Sequence, residues 1–454
     1  MRGSGAFGLV AGVAAVALLP LYGDPGPSDF VAHPEWARMV ERGLNLLSDE
    51  PGFNDTAAQV FATLSGRESR TFSADQYVRA TRVELQEQDG AKRVRPVGGI
   101  GEAVYAMNIA QPGEYRLRFR IASPSAPEAE LTKAGNDAVL HRLSVPATSE
   151  MGWVYAGSVN LDRGAYDATV LLPEGAALQS LEVAPPCAHP IEPLGGWKPA
   201  AVTTTGDVAV TVLQALDLES ELPPAGDAIE FHGGDLRLDD GARTVEAAAG
   251  SGAFNAGARG ARVLLIADVP QSGLYTLSVF GIPAGGQRWI SDGCRIALVC
   301  PTTSLVPEWR AILSAQLQKG RHVFSAALGP GTLIERLRLE PKKDAVADYT
   351  ATAERLGLTP GPGGPLAPVT RGKAEEARRF LEQRRAQLAR EQCGDLLTAG
   401  TLVADANAGP GGGAGAGGGT GGSGGGGGGG KVPPPITPAV PPASPTLPTG
   451  FGGS

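Results

Sequence analysis

Acid–base catalysis at neutral pH needs imidazoles or paired carboxylates gathered at one place, and this chain scatters both. Its five histidines are His33 beside a helix start, His141 and His322 in strand-like segments, and His189 and His232 in connectors. The one G-x-S-x-G, Gly421 to Gly425, lies in a glycine tract where no strand or helix could present the serine. Acidic pairs such as Asp239 with Asp240, or Glu219 with Glu221, come with no pattern that would set them across a cleft. No phosphate-binding loop occurs outside the low-complexity tail. Cys187, Cys294, Cys300 and Cys393 form no C-x-x-C and have no histidine at ligand spacing, which argues against zinc. The expectation is a protein that is not an enzyme, with no metal and no cofactor. What remains for chemistry is aromatic: Trp153, Tyr155, Trp289 and Trp309 form the candidate ligand-binding set. An exposed indole stacks on the C–H face of a sugar while polar neighbours bond its hydroxyls; the other reading is that Trp153 and Trp309 cap a core.

The elements that must position these residues are strands. From Thr71 the hydrophobic period is two: in 115–121, Tyr115, Leu117, Phe119 and Ile121 face one way and Arg116, Arg118 and Arg120 the other. The pattern then recurs. A strand, a turn at Gln111-Pro112-Gly113 and a strand starting at Tyr115 match a strand, a turn at Gln271-Ser272-Gly273 and a strand starting at Tyr275. Trp153 matches Trp309, Gly164 matches Gly320, Leu181 matches Leu337 and Pro185 matches Pro341, all at an offset of 156. Tyr115 and Tyr275 are 160 apart, so one loop between these tyrosines and the paired tryptophans differs in length by a few residues, the first copy having the longer one. A single repeat of this span means two copies of one β-sandwich rather than a solenoid.

Helical periodicity flanks the copies. Trp36, Met39, Val40, Gly43, Leu44 and Leu47 share a face after Pro34, and a second short helix starts near Asp55 or Thr56 and stops at Gly66. These two helices read as packing elements for the adjoining strand region. Between the copies, Val208 to Leu218 reads as a strand or two. Asp344 to Leu358 and Lys373 to Gln392 read as helices, the second with i,i+4 pairs such as Glu375 with Arg379. The fold class is therefore mainly β: two tandem antiparallel β-sandwich (jelly-roll) domains with N- and C-terminal helices and a disordered Gly/Pro-rich tail. The divisions are 1–28 (signal anchor or signal peptide with spacer), 29–70 (helical), 71–186 (first sandwich), 187–226 (connector), 227–343 (second sandwich), 344–404 (helical) and 405–454 (Gly-rich, then Pro-rich).

The second copy runs from Ile229-Glu230-Phe231 through a Gly-rich turn at 250–254, a strand closing on Tyr275, Trp309, a strand ending at Gly320 and a last strand at 334–339. This layout resembles the jelly-roll carbohydrate-binding modules with a galactose-binding-like fold that are appended to bacterial glycoside hydrolases; the first copy is similar from about Thr71 to Pro185. The resemblance implies a sandwich that holds a polysaccharide, with Trp153 and Trp309 matching the family's loop Trp and Tyr155 and Trp289 nearby. The chain departs from the family's Glu-Ala-Glu-like calcium segment, having Glu230-Phe231-His232 and Thr71-Phe72-Ser73. Before the last strand it has Ala176-Ala177-Leu178 and Thr332-Leu333-Ile334 where the family favours Asn or Asp.

Partners can be read from charge and targeting. With 39 Lys and Arg against 47 Asp and Glu, the net charge of −8 offers no field for nucleic acid, and the arginines of 371–390 are interleaved with glutamates. Residues 3–22 are uncharged and largely apolar, with Arg2 before and Asp24 after, which orients the remainder of the chain outward across a membrane. Both an uncleaved anchor and a signal peptide cut near Ala15-Val16-Ala17 fit this segment. Export permits disulfides, but Cys294 and Cys300 bracket a strand-like run whose ends stand roughly 20 Å apart, so they pair only if it bends. Two functions stand: an envelope-anchored carbohydrate-binding-like protein, or an envelope scaffold whose sandwiches and Pro-rich tail contact other proteins.

Overall fold

In the computed structural model, residues 29–46, 55–136, 138–185, 189–239, 244–246, 252–291, 295–301, 306–359, 361 and 363–393 are described. The apolar segment 3–22, Leu47, Cys187, Cys294 and the Gly/Pro-rich tail lie outside them. The first sandwich holds β1 (Arg70–Ser73), β2 (Arg79–Thr81), β3 (Val83–Gln88), β4 (Ala91–Pro96), β5 (Gly101–Ile109), β6 (Gly113–Ser123), β7 (Glu128–Lys133), β8 (Val139–Ser144), β9 (Thr148–Leu161), β10 (Gly164–Leu172) and β11 (Ala177–Ala184). One sheet has the order β3-β4-β11-β6-β9, with β1 also on β11; the other has β2-β5-β10-β7-β8. Alternation fixes which way each strand faces: Tyr115, Leu117, Phe119 and Ile121 of β6 are buried with Phe72, Tyr105, Val170 and Leu181, and the arginines between them face outward.

The second sandwich holds β12 (Ile229–His232), β13 (Arg237–Asp239), β14 (Thr244–Glu246), β15 (Phe254–Asn255), β16 (Ala261–Val269), β17 (Gly273–Ile282), β18 (Gln287–Ser291), β19 (Arg295–Val299), β20 (Glu308–Leu317), β21 (Gly320–Leu328) and β22 (Leu333–Pro341). Its sheets are β12-β22-β17-β20, with β15 on β22, and β14-β13-β16-β21-β18-β19. Thus β22-β17-β20 repeats β11-β6-β9, and β16-β21-β18-β19 repeats β5-β10-β7-β8, every pairing antiparallel. The duplication extends to single bonds. The Tyr115 hydroxyl donates to the Gln111 carbonyl at 2.7 Å, and the Tyr275 hydroxyl to the Gln271 carbonyl at 2.9 Å, pinning the same turn in both copies. Cys300, just after β19, is disulfide-bonded.

The helices do not simply pad the adjacent sandwiches. α1 (His33–Gly43), α2 (Ala57–Ser65), α3 (Thr205–Ala215), α4 (Val346–Arg355) and α5 (Arg371–Cys393) bury one shared core, including Trp36, Val40, Leu64, Leu213, Tyr349 and Leu381. This hub therefore joins three stretches of chain that the two sandwiches separate. Backbone bonds stitch it: Val31 N–H to Val369 O at 3.0 Å, Thr203 N–H to Val31 O at 2.8 Å and Val369 N–H to Thr203 O at 2.9 Å. The Trp36 indole N–H donates to Thr211 Oγ1 at 2.9 Å, fastening α1 to α3.

α3 corrects the strand expected over Val208 to Leu218. Thr204 and Asp207 form a capping box that starts a helix, and its run Val208-Ala209-Val210-Thr211-Val212-Leu213 is buried all round. A helix enclosed on every side shows no polar stripe, so its apolar run looks like a buried strand. α1, α2, α4 and α5 lie where helical periodicity places them, and α2 begins on a Thr56–Gln59 capping box and ends on Gly66, whose φ of 56° is the left-handed C-cap that suits glycine.

Candidate functional site

Three strands present the outer face of the first sandwich's six-stranded sheet. Cα register across β11, β6 and β9 gives three rows: Ala184–Arg116–Ser158, Glu182–Arg118–Tyr155 and Ser180–Arg120–Trp153. All point away from the core, because their neighbours in sequence point into it. Arg116, Arg118 and Arg120 occupy alternate positions of β6 and are exposed. Trp153 is 43% exposed and Tyr155 53%, two residues apart on β9. Arg118 is fixed in place: its Nη2 donates to both oxygens of Glu182 at 2.7 and 2.6 Å, and its guanidinium carbon sits 5.1 Å from the Trp153 ring centroid. The Tyr155 hydroxyl and Ser158 Oγ share a hydrogen bond of 2.8 Å. The result is an exposed sheet face with two accessible rings and a central row of arginines.

The matched face of the second sandwich is built differently. Its rows are Glu340–Thr276–Ser314, Arg338–Ser278–Ala311 and Arg336–Phe280–Trp309. Trp309 is half-buried, with the Arg338 guanidinium 4.5 Å and the Arg336 guanidinium 5.5 Å from its ring and Phe280 tilted against it at 5.5 Å. Thr276, Ser278 and Ser314 are buried, and Thr276 and Ser314 share a hydrogen bond of 2.8 Å. Trp309 already has cations on its ring, and its row offers little open surface.

Trp289 leaves the candidate set. It lies in β18, wholly buried, and its indole N–H is satisfied by Gln287 Oε1 at 2.8 Å. It is core because β18 sits inside the second sheet between β21 and β19, so an inward residue there meets the packed interior. Of the four aromatics, the structure brings together only Trp153 and Tyr155.

Sequence reading missed buried polar groups of the hub. Glu41, fully buried on α1, has both carboxylate oxygens without a hydrogen-bond partner; burial and the nearby Asp55 push its pKa up to about 8, against the pull of Arg70 and Arg38. Burial also raises Asp55, although Arg70 pairs with it. His189 contacts Glu219, which also accepts from the Tyr349 hydroxyl at 3.0 Å, and His33 lies 3.4 Å from Asp207. These groups are too distant in sequence to be read as clusters. Where α2 meets the first sandwich, a cavity of about 30 Å³ is lined by Thr63, Arg70 and Asn108 among others, and the Thr63 hydroxyl and Asn108 amide find no protein partner. That volume suits one or two waters. Among the described residues no group of three or more His, Cys, Asp or Glu is placed to hold a metal ion, and no helix there is long and apolar enough to cross a membrane.

No family model matches the sequence, and no curated protein matches it. Solved structures do. The C-terminal CBM6 module of a marine laminarinase from Zobellia galactanivorans is 22% identical and covers 26% of this chain and 99% of its own, with a TM-score of 0.23. A carbohydrate-binding module (CBM6) of Cellvibrio mixtus lichenase 5A, solved with cellotriose, is 21% identical over 25% of this chain and 95% of its own, with a TM-score of 0.22. A tryptic core variant of Bacillus thuringiensis Cry1Da is 13% identical over 28% of this chain and 25% of its own, with a TM-score of 0.24. Each of these likenesses is to about a quarter of the chain, roughly one sandwich.

Proposed function

We propose that the protein is a non-catalytic polysaccharide-binding protein that holds its ligand on the outer face of the first sandwich, tethered to a membrane by residues 3–22 with the sandwiches on the outer side. The observation that carries this reading is the pair of exposed rings, Trp153 and Tyr155, side by side on β9 and flanked by hydrogen-bonding arginines. Large rings exposed together cost solvation unless something covers them, and a sugar's apolar face with its ring of hydroxyls fits both the rings and the donors. The second sandwich, with Trp309 held under two arginines, acts in this reading as a companion fold rather than a second site.

The test is retention of the full chain on immobilised polysaccharides by affinity electrophoresis. Trp153→Ala and Tyr155→Ala should each weaken retention roughly tenfold or more, by the worth of one stacking contact, without changing the circular dichroism spectrum. Unchanged retention in the W153A/Y155A double variant sinks the proposal. A scaffold function is favoured by a different feature: Leu85, Val97 and Ile100 are 42%, 50% and 64% exposed along the β3–β5 stretch. No retention on any glycan, together with a protein partner lost on Ile100→Lys, would favour that reading.

A further inference from the structure

We infer that the ligand of this face is an anionic polysaccharide, recognised by Arg116 and Arg120. The inference rests on the polysaccharide reading and adds the chemical class. Several exposed arginines of this protein have a carboxylate within reach: Arg79 has Asp167, Arg142 has Glu130 and Arg355 has Glu221. Arg116 and Arg120 are exposed, and among the described residues neither has an ion-pair partner. In the three rows of the face there are three arginines and a single acid, Glu182, and that acid is spent on Arg118. A chain of net charge −8 thus keeps two guanidinium groups outside any ion pair on the face that also shows open rings, with Glu114 as the one further acid on that face of β6, at its Arg116 end. Surface self-repulsion makes such a row unfavourable unless an anion complements it.

The geometry fits a sugar acid. Alternate residues of a strand stand roughly 6.8 Å apart, so Arg116 and Arg120 flank Arg118 at even spacing along β6. Arg120 is the direct cross-strand neighbour of Trp153, so a ring stacked on the indole brings its charged substituent to the Arg120 fork. A planar guanidinium donates two parallel bonds to a carboxylate, and equally to a sulfate or phosphate ester. In the second copy the positions matching Arg116, Arg118 and Arg120 are Thr276, Ser278 and Phe280, so arginines on the central strand belong to the first sandwich, the second carrying Arg336 and Arg338 on β22 over Trp309 instead.

The experiment measures binding of the full chain to two matched pairs, polygalacturonate against its carboxyl-reduced form and dextran sulfate against dextran, with a single-stranded oligothymidylate alongside. In at least one pair the charged member should bind roughly tenfold more tightly at low salt, and the advantage should shrink as salt rises. Which pair shows it tells carboxylate from sulfate ester. The advantage should vanish in Arg116→Ala/Arg120→Ala, two exposed positions, while residual binding to the neutral polymers persists. Equal binding of charged and neutral members overturns the inference and leaves the polysaccharide reading standing; no binding to any of the four ends both. A charge advantage that survives in the double variant, or oligothymidylate bound as tightly as the best glycan, also overturns it.

Discussion

Trp153, Trp309 and Trp289 show how far neighbours decide what one residue type does. Trp153 and Trp309 hold matched positions, yet the residues facing them across the sheet were exchanged: Ser180 and Glu182 beside β6 in the first copy stand where Arg336 and Arg338 stand in the second. The second pair of arginines covers Trp309, whereas in the first copy the arginines moved to the middle strand and left the Trp153 ring accessible. Trp309→Ala should therefore lower stability by about 1–2 kcal/mol and leave glycan retention unchanged, the reverse of Trp153→Ala. Trp289→Ala empties a fully enclosed site and should cost about 3–5 kcal/mol, read in a urea titration as a lower midpoint with an unchanged slope. The pairing of Trp153 with Trp309 was legible, because a spacing of 156 survives in the letters. Which ring is open was not, because exposure is set by partners on strands far along the chain.

At the scale of elements, α1 carries a group that makes stability depend on pH. Glu41 keeps its proton in the folded protein up to about pH 8, whereas the unfolded chain releases it near the ordinary carboxyl value of 4.5. Between those values the folded state binds more protons than the unfolded state, so stability falls as pH rises and levels off above about 8. Asp55 beside it opposes ionisation of Glu41, and Arg70 and Arg38 favour it. The loss from pH 5 to 8 from this one group is on the order of 3 to 4 kcal/mol. Thermal melts of Glu41→Gln should be flatter over this window than those of the parent; parallel curves would show that the carboxyl finds a solvated position. Strand positions on β6 and the limits of α2 were readable because alternation and capping residues are local. α3 was misread for a physical reason: with apolar partners on every side, its run of Val, Ala and Leu loses the 3.6-residue stripe, and only Thr204 with Asp207 marked it as helical.

The whole molecule is governed by the hub. Arg163, at the β9–β10 turn, bonds the Ala110 carbonyl at 2.9 Å and the Ala215 carbonyl at 2.7 Å and lies 3.5 Å from Asp217, tying the first sandwich to the end of α3. The second sandwich is tied by Ala225 N–H to Pro341 O at 2.8 Å and Lys342 N–H to Leu274 O at 2.8 Å, and Leu274 itself belongs to the hub core. Arg163→Ala leaves two carbonyls without their cationic donor and should cost about 2–3 kcal/mol. Calorimetry should then resolve an earlier transition for the first sandwich; a single unshifted peak would show that the tie carries little. The repeat foretold two sandwiches, but a core shared by three separated segments leaves no continuous pattern in any one of them.

That split core sets an order of events during synthesis. α1 and α2 emerge early, but the surface that covers Trp36 and Val40 includes α3 and α5, and α5 comes after both sandwiches. Until Leu381 has been made, the apolar stripe of α1 lacks part of its permanent cover and must be shielded, as by a chaperone. A ribosome stalled before Arg371 would therefore release two finished sandwiches joined to sticky, unmatched helices, so the last helix serves as the closing clasp on a protein otherwise complete.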